Sequence, residues 1–405
     1  MEPPAAPQPL RILEVGGDHL FKRGAPDQTD HAWTSFKPSP SGDRALGPLR
    51  LLRCLSDLRA GRYDLVVVHA NQYAPWSARS LAYGLRDWGW RAPLGLFAMF
   101  AWRLVCIGHR TPVAAVDLGD SFGVGRHNFF LLRAARAYFK RELPTDHWQV
   151  FHHSGHGDLP GRRWRLKART RGWIAKLQPI SYGALDWIEP RPPGRKTADV
   201  FFAGAIDGNS TSRILGLTDL RQLADEGFDV DIPDERLARD AFMQRMAGAW
   251  LAWSPAGLGW DCRRHYEAPL VGTVPVMSYP SIRRDRPLRE GEHCLLYDPQ
   301  PGALADVIRA ALADKPRLTR MARAAEAHVR EHHSDRARAE HVAVTVLGRR
   351  LDGTVVPAAS TARRDDPMDD QAVDLELAEA GAPYGQPPDR HRAHREGADG
   401  QRAQR

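Results

Sequence analysis

The chain is short of lysine, cysteine and long apolar runs, and each shortage excludes something. Only seven of its 57 basic residues are lysine (Lys22, Lys37, Lys140, Lys167, Lys176, Lys196 and Lys315), which leaves 50 arginines. A basic chain built this way offers planar guanidinium forks suited to phosphate or carboxylate. The basic residues are dispersed and no nucleic-acid recognition motif is present, so no nucleic-acid partner is expected. The four cysteines, Cys54, Cys106, Cys262 and Cys294, stand far apart. None forms a CxxC pair, so neither a zinc ribbon nor a dithiol redox motif is present. So sparse a set argues for a reducing compartment. The start, Met1 to Pro9, has neither a positive n-region nor an apolar h-region and does not read as a secretory signal. The longest apolar stretch, Ala92–Cys106, is interrupted by Arg103 and is too short to span a membrane. A cytoplasmic location is expected.

What remains is ordinary globular material. The 405 residues are 42% apolar and 26% charged, and the length suits two domains with tails. Short β-branched runs alternate with helical patterns. Strands are predicted at 11–15, 64–68, 111–117, 199–203, 250–254 and 274–277. Helices are predicted at 49–58, 77–87, 129–141, 214–226, 236–250, 264–272, 302–312 and 318–347. Residues 29–47 read as a long loop. This alternation predicts an α/β chain of two Rossmann-like domains facing a cleft. The first covers 10–188 and takes the acceptor, after a disordered start at 1–9. A Pro-rich linker spans 189–196, and the second domain covers 197–350. Residues 354–405 hold seven Arg and ten Asp or Glu with few large apolars, and read as a disordered tail.

The informative segment runs from Ser254 to Val276. A strand ends at Ser254, a loop carries Gly257 and Gly259, and a helix opens near Arg263. Backbone N–H groups of such a loop and helix start make an anion site. Arg263 and Arg264 stand in the first turn, where cations oppose the macrodipole unless an anion lies between. Glu267, three residues after Arg264, would accept hydrogen bonds from a ribose diol. On spacing alone, Arg264 and Glu267 are equally a surface pair one turn apart.

This segment resembles the donor-binding signature of GT-B glycosyltransferases, most of all the exostosin-like branch, and the group 1-like C-terminal domain. Arg264 falls on the family's arginine and Glu267 on the glutamate that contacts the donor nucleotide. Gly272, Pro275 and Val276 fall on its closing Gly-x-x-Pro-Val. Gly204 and Arg213 match positions upstream, and Tyr266 lies within the motif. The resemblance covers about 195–330 and is thin over 10–190. It implies a donor site of Gly204, Arg213, Gly257, Gly259, Arg263, Arg264, Tyr266 and Glu267. The co-substrate is then a nucleotide-diphosphate sugar, with no other cofactor and no metal. The acceptor is a glycan or a lipid-linked hydroxyl, in glycan or polysaccharide synthesis.

One departure bears on mechanism. Retaining members carry Glu-x7-Glu, and the position eight before Glu267 is Gly259. That favours inversion or an unusual mechanism, and inversion needs a general base. Asp120 is the first candidate and His19 the second; His69 and Asp117 also follow predicted strands. A catalytically inactive scaffold that binds a nucleotide or glycan is the alternative. Lys140 and Arg141 either face the diphosphate or form an ordinary basic helix end. His152, His153 and His156 read as a polar loop. Asp229 and Asp231 spell Asp-x-Asp but read as an exposed strand. The aromatic stretch 88–106 packs as a core helix or meets a membrane interface.

Overall fold

The computed structural model describes residues 7–34, 39, 42–43, 46–71, 78, 81–82, 85–86, 89, 92–151, 168–184, 195–205 and 211–357. Most of the predicted helix 77–87, the three histidines of 152–156, residues 189–194 of the linker and the tail from 358 lie outside them.

The first half builds a six-stranded parallel sheet. Its elements are β1 (Ile12–Gly16), α1 (Leu20–Gly24), β2 (Thr29–Trp33), α2 (Pro48–Arg59), β3 (Leu65–His69), α3 (Ala92–Ala101), β4 (Val113–Asp117), α4 (Phe129–Ala134), β5 (Ala137–Lys140), α5 (Ala168–Ile174) and β6 (Leu177–Pro179). The strand order is β2-β1-β3-β4-β5-β6. Every residue of β1, β3 and β4 is buried, as expected of strands covered on both faces. The register sets Leu13 opposite Val66 and Val67 opposite Ala114.

The second half is a five-stranded parallel sheet. It contains β7 (Ala198–Phe201), α6 (Thr211–Asp225), β8 (Val230–Asp231), α7 (Arg239–Ala247), β9 (Ala249–Trp253), α8 (Arg264–Leu270), β10 (Val274–Ser278), β11 (Leu295–Tyr297), α9 (Ala303–Leu312), α10 (Lys315–His332) and α11 (Asp335–Leu347). Its order is β11-β10-β9-β7-β8. Lys196 ties the strand starts together, donating to the carbonyls of Ala247, Ala249 and Gly272 at 3.0, 2.7 and 2.8 Å. The two-sheet α/β architecture is the one expected.

Three sequence expectations are corrected. Residues 29–33 are a strand, β2, at the edge of the first sheet. Polar Thr29 and Asp30 hid it, and an edge strand tolerates them. The helix expected over 129–141 ends at Ala134, because Ala135 turns to an extended conformation. Residues 137–140 are β5, buried throughout; a short apolar run does not distinguish helix from strand by its period.

The helix expected over 318–347 is two helices. Ser334 caps the second by accepting the N–H of Ala337 at 3.1 Å. The break sends α11 back to the first sheet, although 335–347 fall inside the range assigned to the second domain. Ala339, Val342, Ala343 and Val346 pack with Ile12, Leu65, Val67 and Val116. α1 and α11 approach closely at Gly24, where a Cβ would lie 2.6 Å from the Asp335 carbonyl oxygen. Arg23 donates to Asp335 at 2.7 Å beside it.

Among the described residues no helix is long and apolar enough to cross a membrane. Within 88–106, Trp102 and Val105 are buried while Phe100 and Leu104 are exposed. Residues 100–105 thus set Trp102 and Val105 into the core and leave Phe100 and Leu104 at the surface.

Candidate functional site

In open α/β sheets, ligands sit beyond the strand carboxyl ends where the strand order reverses. In the second sheet that point lies between β7 and β9. The loop after β7 and the loop from Ser254 to Arg263 meet there. Between them is a cleft of about 420 Å³ lined by Tyr182, Ala203, Arg236, Leu237, Arg239, Phe242, Cys262, Arg263, Arg264 and Glu267.

Helix α8 supplies one wall. Arg263 is its N-cap and lays its guanidinium over the Tyr182 ring, 4.0 Å from the centroid. Its Nη1 is buried and has no hydrogen-bond partner among the described residues. Arg264 donates to the Ala203 carbonyl at 3.0 Å and covers the Phe202 ring. Gly204 lies against this guanidinium, and a Cβ there would stand 3.1 Å from Arg264 Nη1. Glu267 is buried, and its Oε1 accepts from Arg239 Nη2 at 2.8 Å. Its partner is therefore an arginine of α7, not Arg264, and the carboxylate is not solvent-facing.

The remaining donor-site candidates stand behind the cleft. Arg213 donates to Ala205 O at 2.7 Å and Ala256 O at 3.2 Å, joining the two loops. Its Nη2 would lie 2.7 Å from a Cβ at Gly257. Tyr266 is a core residue whose hydroxyl donates to Asp261 at 2.7 Å.

Gly259 packs against Glu142, which β5 delivers from the first half. Glu142 is buried and accepts the backbone N–H of Trp260 and of Asp261, both at 2.9 Å. Two donors of the glycine loop, expected to hold a ligand anion, are thus already engaged by a carboxylate of this chain. Burial pushes the Glu142 carboxyl up to about 7, although Arg141 beside it pulls the other way.

Asp120 accepts from Arg141 Nη2 and its side chain is 45% exposed. Arg141 also covers Tyr182, at 4.3 Å, so this ring meets both Arg141 and Arg263. Lys140 is buried at the end of β5 and binds Asp117 at 3.1 Å. Asp117 also accepts from Tyr138 at 2.8 Å, and so serves as a strand-end anchor. His19 is buried in the first half, with Nε2 2.6 Å from Asp43. His69 pairs with buried Glu14 at 2.8 Å. Asp231 is held by Arg245 at 3.0 Å.

Beside the arginines stands Cys262. Burial alone would raise its thiol pKa, but the facing His265 outweighs this and brings it down to about 6. His265 rises to about 9 against its own burial, through Cys262 and Asp261.

Sequence reading thus located Arg263, Arg264 and Glu267 in the cleft. It missed Arg236, Arg239, Tyr182, Cys262 and Glu142. The helix expected over 236–250 spans only Arg239–Ala247, so Arg239 opens it while Arg236 reaches the cleft from the loop before it, and helix periodicity held no signal for the pair.

No family model matches the chain, and comparison with curated proteins gives no match. Solved structures do resemble it. Anabaena Alr3699/HepE in complex with UDP and glucose aligns at 14% identity and a TM-score of 0.43, over 83% of this chain and 99% of that one. Sucrose-phosphate synthase from Thermosynechococcus elongatus aligns at 13% and 0.43, over 83% and 97%. A glycosyltransferase from Rickettsia africae aligns at 8% and 0.47, over 83% and 98%.

Proposed function

We propose that the chain is a glycosyltransferase that moves a sugar from a nucleotide-diphosphate donor to a hydroxyl acceptor. The observation that carries this reading is the cleft itself. Four arginines surround one carboxylate at the strand-order reversal of the second sheet. Arg263 brings to it a buried N–H donor with no acceptor among the described residues.

In this reading the diphosphate lies along Arg263 and Arg264. Glu267, steadied by Arg239 at Oε1, offers Oε2 to the ribose diol. The acceptor oxygen attacks the anomeric carbon as the bond from that carbon to the diphosphate oxygen breaks. The electron pair leaves on the diphosphate, where the guanidinium groups stabilise the growing charge. Asp120 takes the acceptor proton. Its carboxylate is half-exposed and held by Arg141, which shares the Tyr182 ring with Arg263. Gly259, standing where many retaining members of the resembling family carry Glu, supports inversion. Loss of the donor bond needs no metal here, since the cations are arginines. The exposed Phe100 and Leu104 support a lipid-linked acceptor at a membrane face, and in this reading the enzyme works on its cytoplasmic side.

The test is incubation of the full chain with a panel of sugar nucleotides, reading release of free nucleoside diphosphate with and without glycan acceptors. Release that Glu267→Ala abolishes supports the reading. Saturable nucleotide binding without release would instead favour a binding scaffold, and neither binding nor release would refute both.

A further inference from the structure

A second cluster lies at the carboxyl ends of β1 and β2, outside the arginine cleft. His19 follows β1, His31 lies within β2, and Asp43 comes from the segment that precedes α2. Each offers one ligand atom, and these atoms lie within 4.8 Å of one another.

The hydrogen bonds around His31 fix its tautomer. Its Nε2 lies 2.8 Å from the carbonyl oxygen of Asp18, which accepts only, so Nε2 carries the proton. Nδ1 therefore presents a lone pair. His31 is 4% exposed, and Nδ1 is buried with no hydrogen-bond partner among the described residues. It faces Asp43 Oδ2 across 3.8 Å, one acceptor opposite another. The same carboxylate oxygen is 2.6 Å from His19 Nε2. Two imidazole nitrogens and a carboxylate oxygen thus converge on one point, and a cation satisfies all three.

We propose that His19, His31 and Asp43 form a binding site for a divalent transition metal of the zinc type. Imidazole and carboxylate are the ligands such ions take. The surroundings are those of a metal site too. A ligating histidine gives its other ring N–H to a carbonyl, as His31 does to Asp18, and a ligating carboxylate is itself held. Ser39 donates to Asp43 Oδ2 at 2.9 Å, and Lys22 binds the other oxygen. The Trp33 ring stacks on His19 with centroids 5.0 Å apart. Tetrahedral zinc bonds of about 2.0–2.1 Å set ligand atoms about 3.4 Å apart. The 3.8 Å gap from His31 to Asp43 then closes by about 0.4 Å, and the 2.6 Å contact of His19 with Asp43 opens by about 0.8 Å.

The experiment uses the full chain, stripped by a chelator and titrated with zinc, with metal content measured after gel filtration. One zinc per chain is expected. His31→Gln and Asp43→Asn should each weaken zinc binding by about 100-fold or more, while His109→Gln, distant in sequence and bound to Val105 O, should leave it unchanged. Wild-type protein that takes up no zinc at micromolar concentration overturns the proposal, as does equal uptake by all three variants. The wild type also decides alone, whether or not a variant folds. X-ray absorption at the zinc edge should show two imidazole ligands with oxygen, and a shell with fewer imidazoles refutes the site.

Discussion

The carboxylate of Glu142, at the end of the fifth strand, accepts the backbone N–H of Trp260 in the glycine loop of the other half at 2.9 Å. With Asp261 taking the second oxygen, one buried side chain sets the loop from which the arginine helix starts. Its raised pKa makes this contact sensitive to pH. A carboxyl that titrates near 7 when folded and at its ordinary 4.5 when unfolded holds extra protons in the native state between those values. Stability is then full below about 4.5 and falls as pH rises through 7. At about 1.4 kcal/mol per unit, the loss is about 3 kcal/mol at the limit. Melting temperatures of the wild type should decline between pH 5 and pH 8, and Glu142→Gln should flatten the decline. An unchanged slope in the variant would assign the effect elsewhere.

The arginines divide by what already holds them. Arg264 is committed to the Ala203 carbonyl, whereas Arg263 has a donor without an acceptor. Arg263→Ala should lower kcat by roughly 10²-fold, the usual loss for one electrostatic donor. Arg263→Lys should recover part of it, because a point charge replaces the fork poorly. Arg264→Ala should raise KM as well, since the loop after β7 loses its tie. Steady-state kinetics with one donor distinguish the two, and full activity in Arg263→Ala would remove the phosphate assignment.

Glu267 is buried, so its removal has a structural cost as well as a functional one. Glu267→Ala removes the carboxylate that Arg239 donates to at 2.8 Å and the buried side chain's packing, and should destabilise by about 1–3 kcal/mol. Glu267→Gln keeps an acceptor and should melt close to the wild type while losing transfer. Calorimetry beside product assays makes the comparison; a Gln variant with normal turnover would show that the charge is not needed.

Cys262 should be the one readily alkylated thiol. It lines the cleft and its pKa is lowered to about 6, while burial pushes Cys106 and Cys294 up to about 12. Iodoacetamide at pH 7 followed by peptide mass spectrometry should find the label there, and a bound nucleoside diphosphate should slow it. Labelling that ignores nucleotide would place the ligand elsewhere.

Gly24 meets the Asp335 carbonyl so closely that a side chain has no room. Gly24→Leu should cost about 1–3 kcal/mol through overpacking, read by chemical denaturation. An unchanged midpoint would mean that the first and last helices are not in close contact.

The sequence made the second half more legible than the first. Its strands, the glycine loop and the start of the arginine helix are adjacent in the chain, so local pattern suffices to place Arg263, Arg264 and Glu267. Tyr182 and Glu142 reach the site from elsewhere, and no local signal announces that. Arg239 looks like any charged residue on an amphipathic helix until the fold sets it against Glu267. In the first half, an edge strand with polar residues and a central strand of four residues both lacked a readable period.

The return of Asp335–Leu347 to the first sheet has a consequence for synthesis. The leading half of the chain leaves the ribosome without the segment that covers one of its faces. At about 5–20 residues per second, the roughly 160 residues between β6 and that helix delay the cover by about 8–30 seconds. Through that interval Ile12, Leu65 and Val67 lack their final neighbours, and the nascent half offers chaperones an apolar face until Asp335–Leu347 emerges.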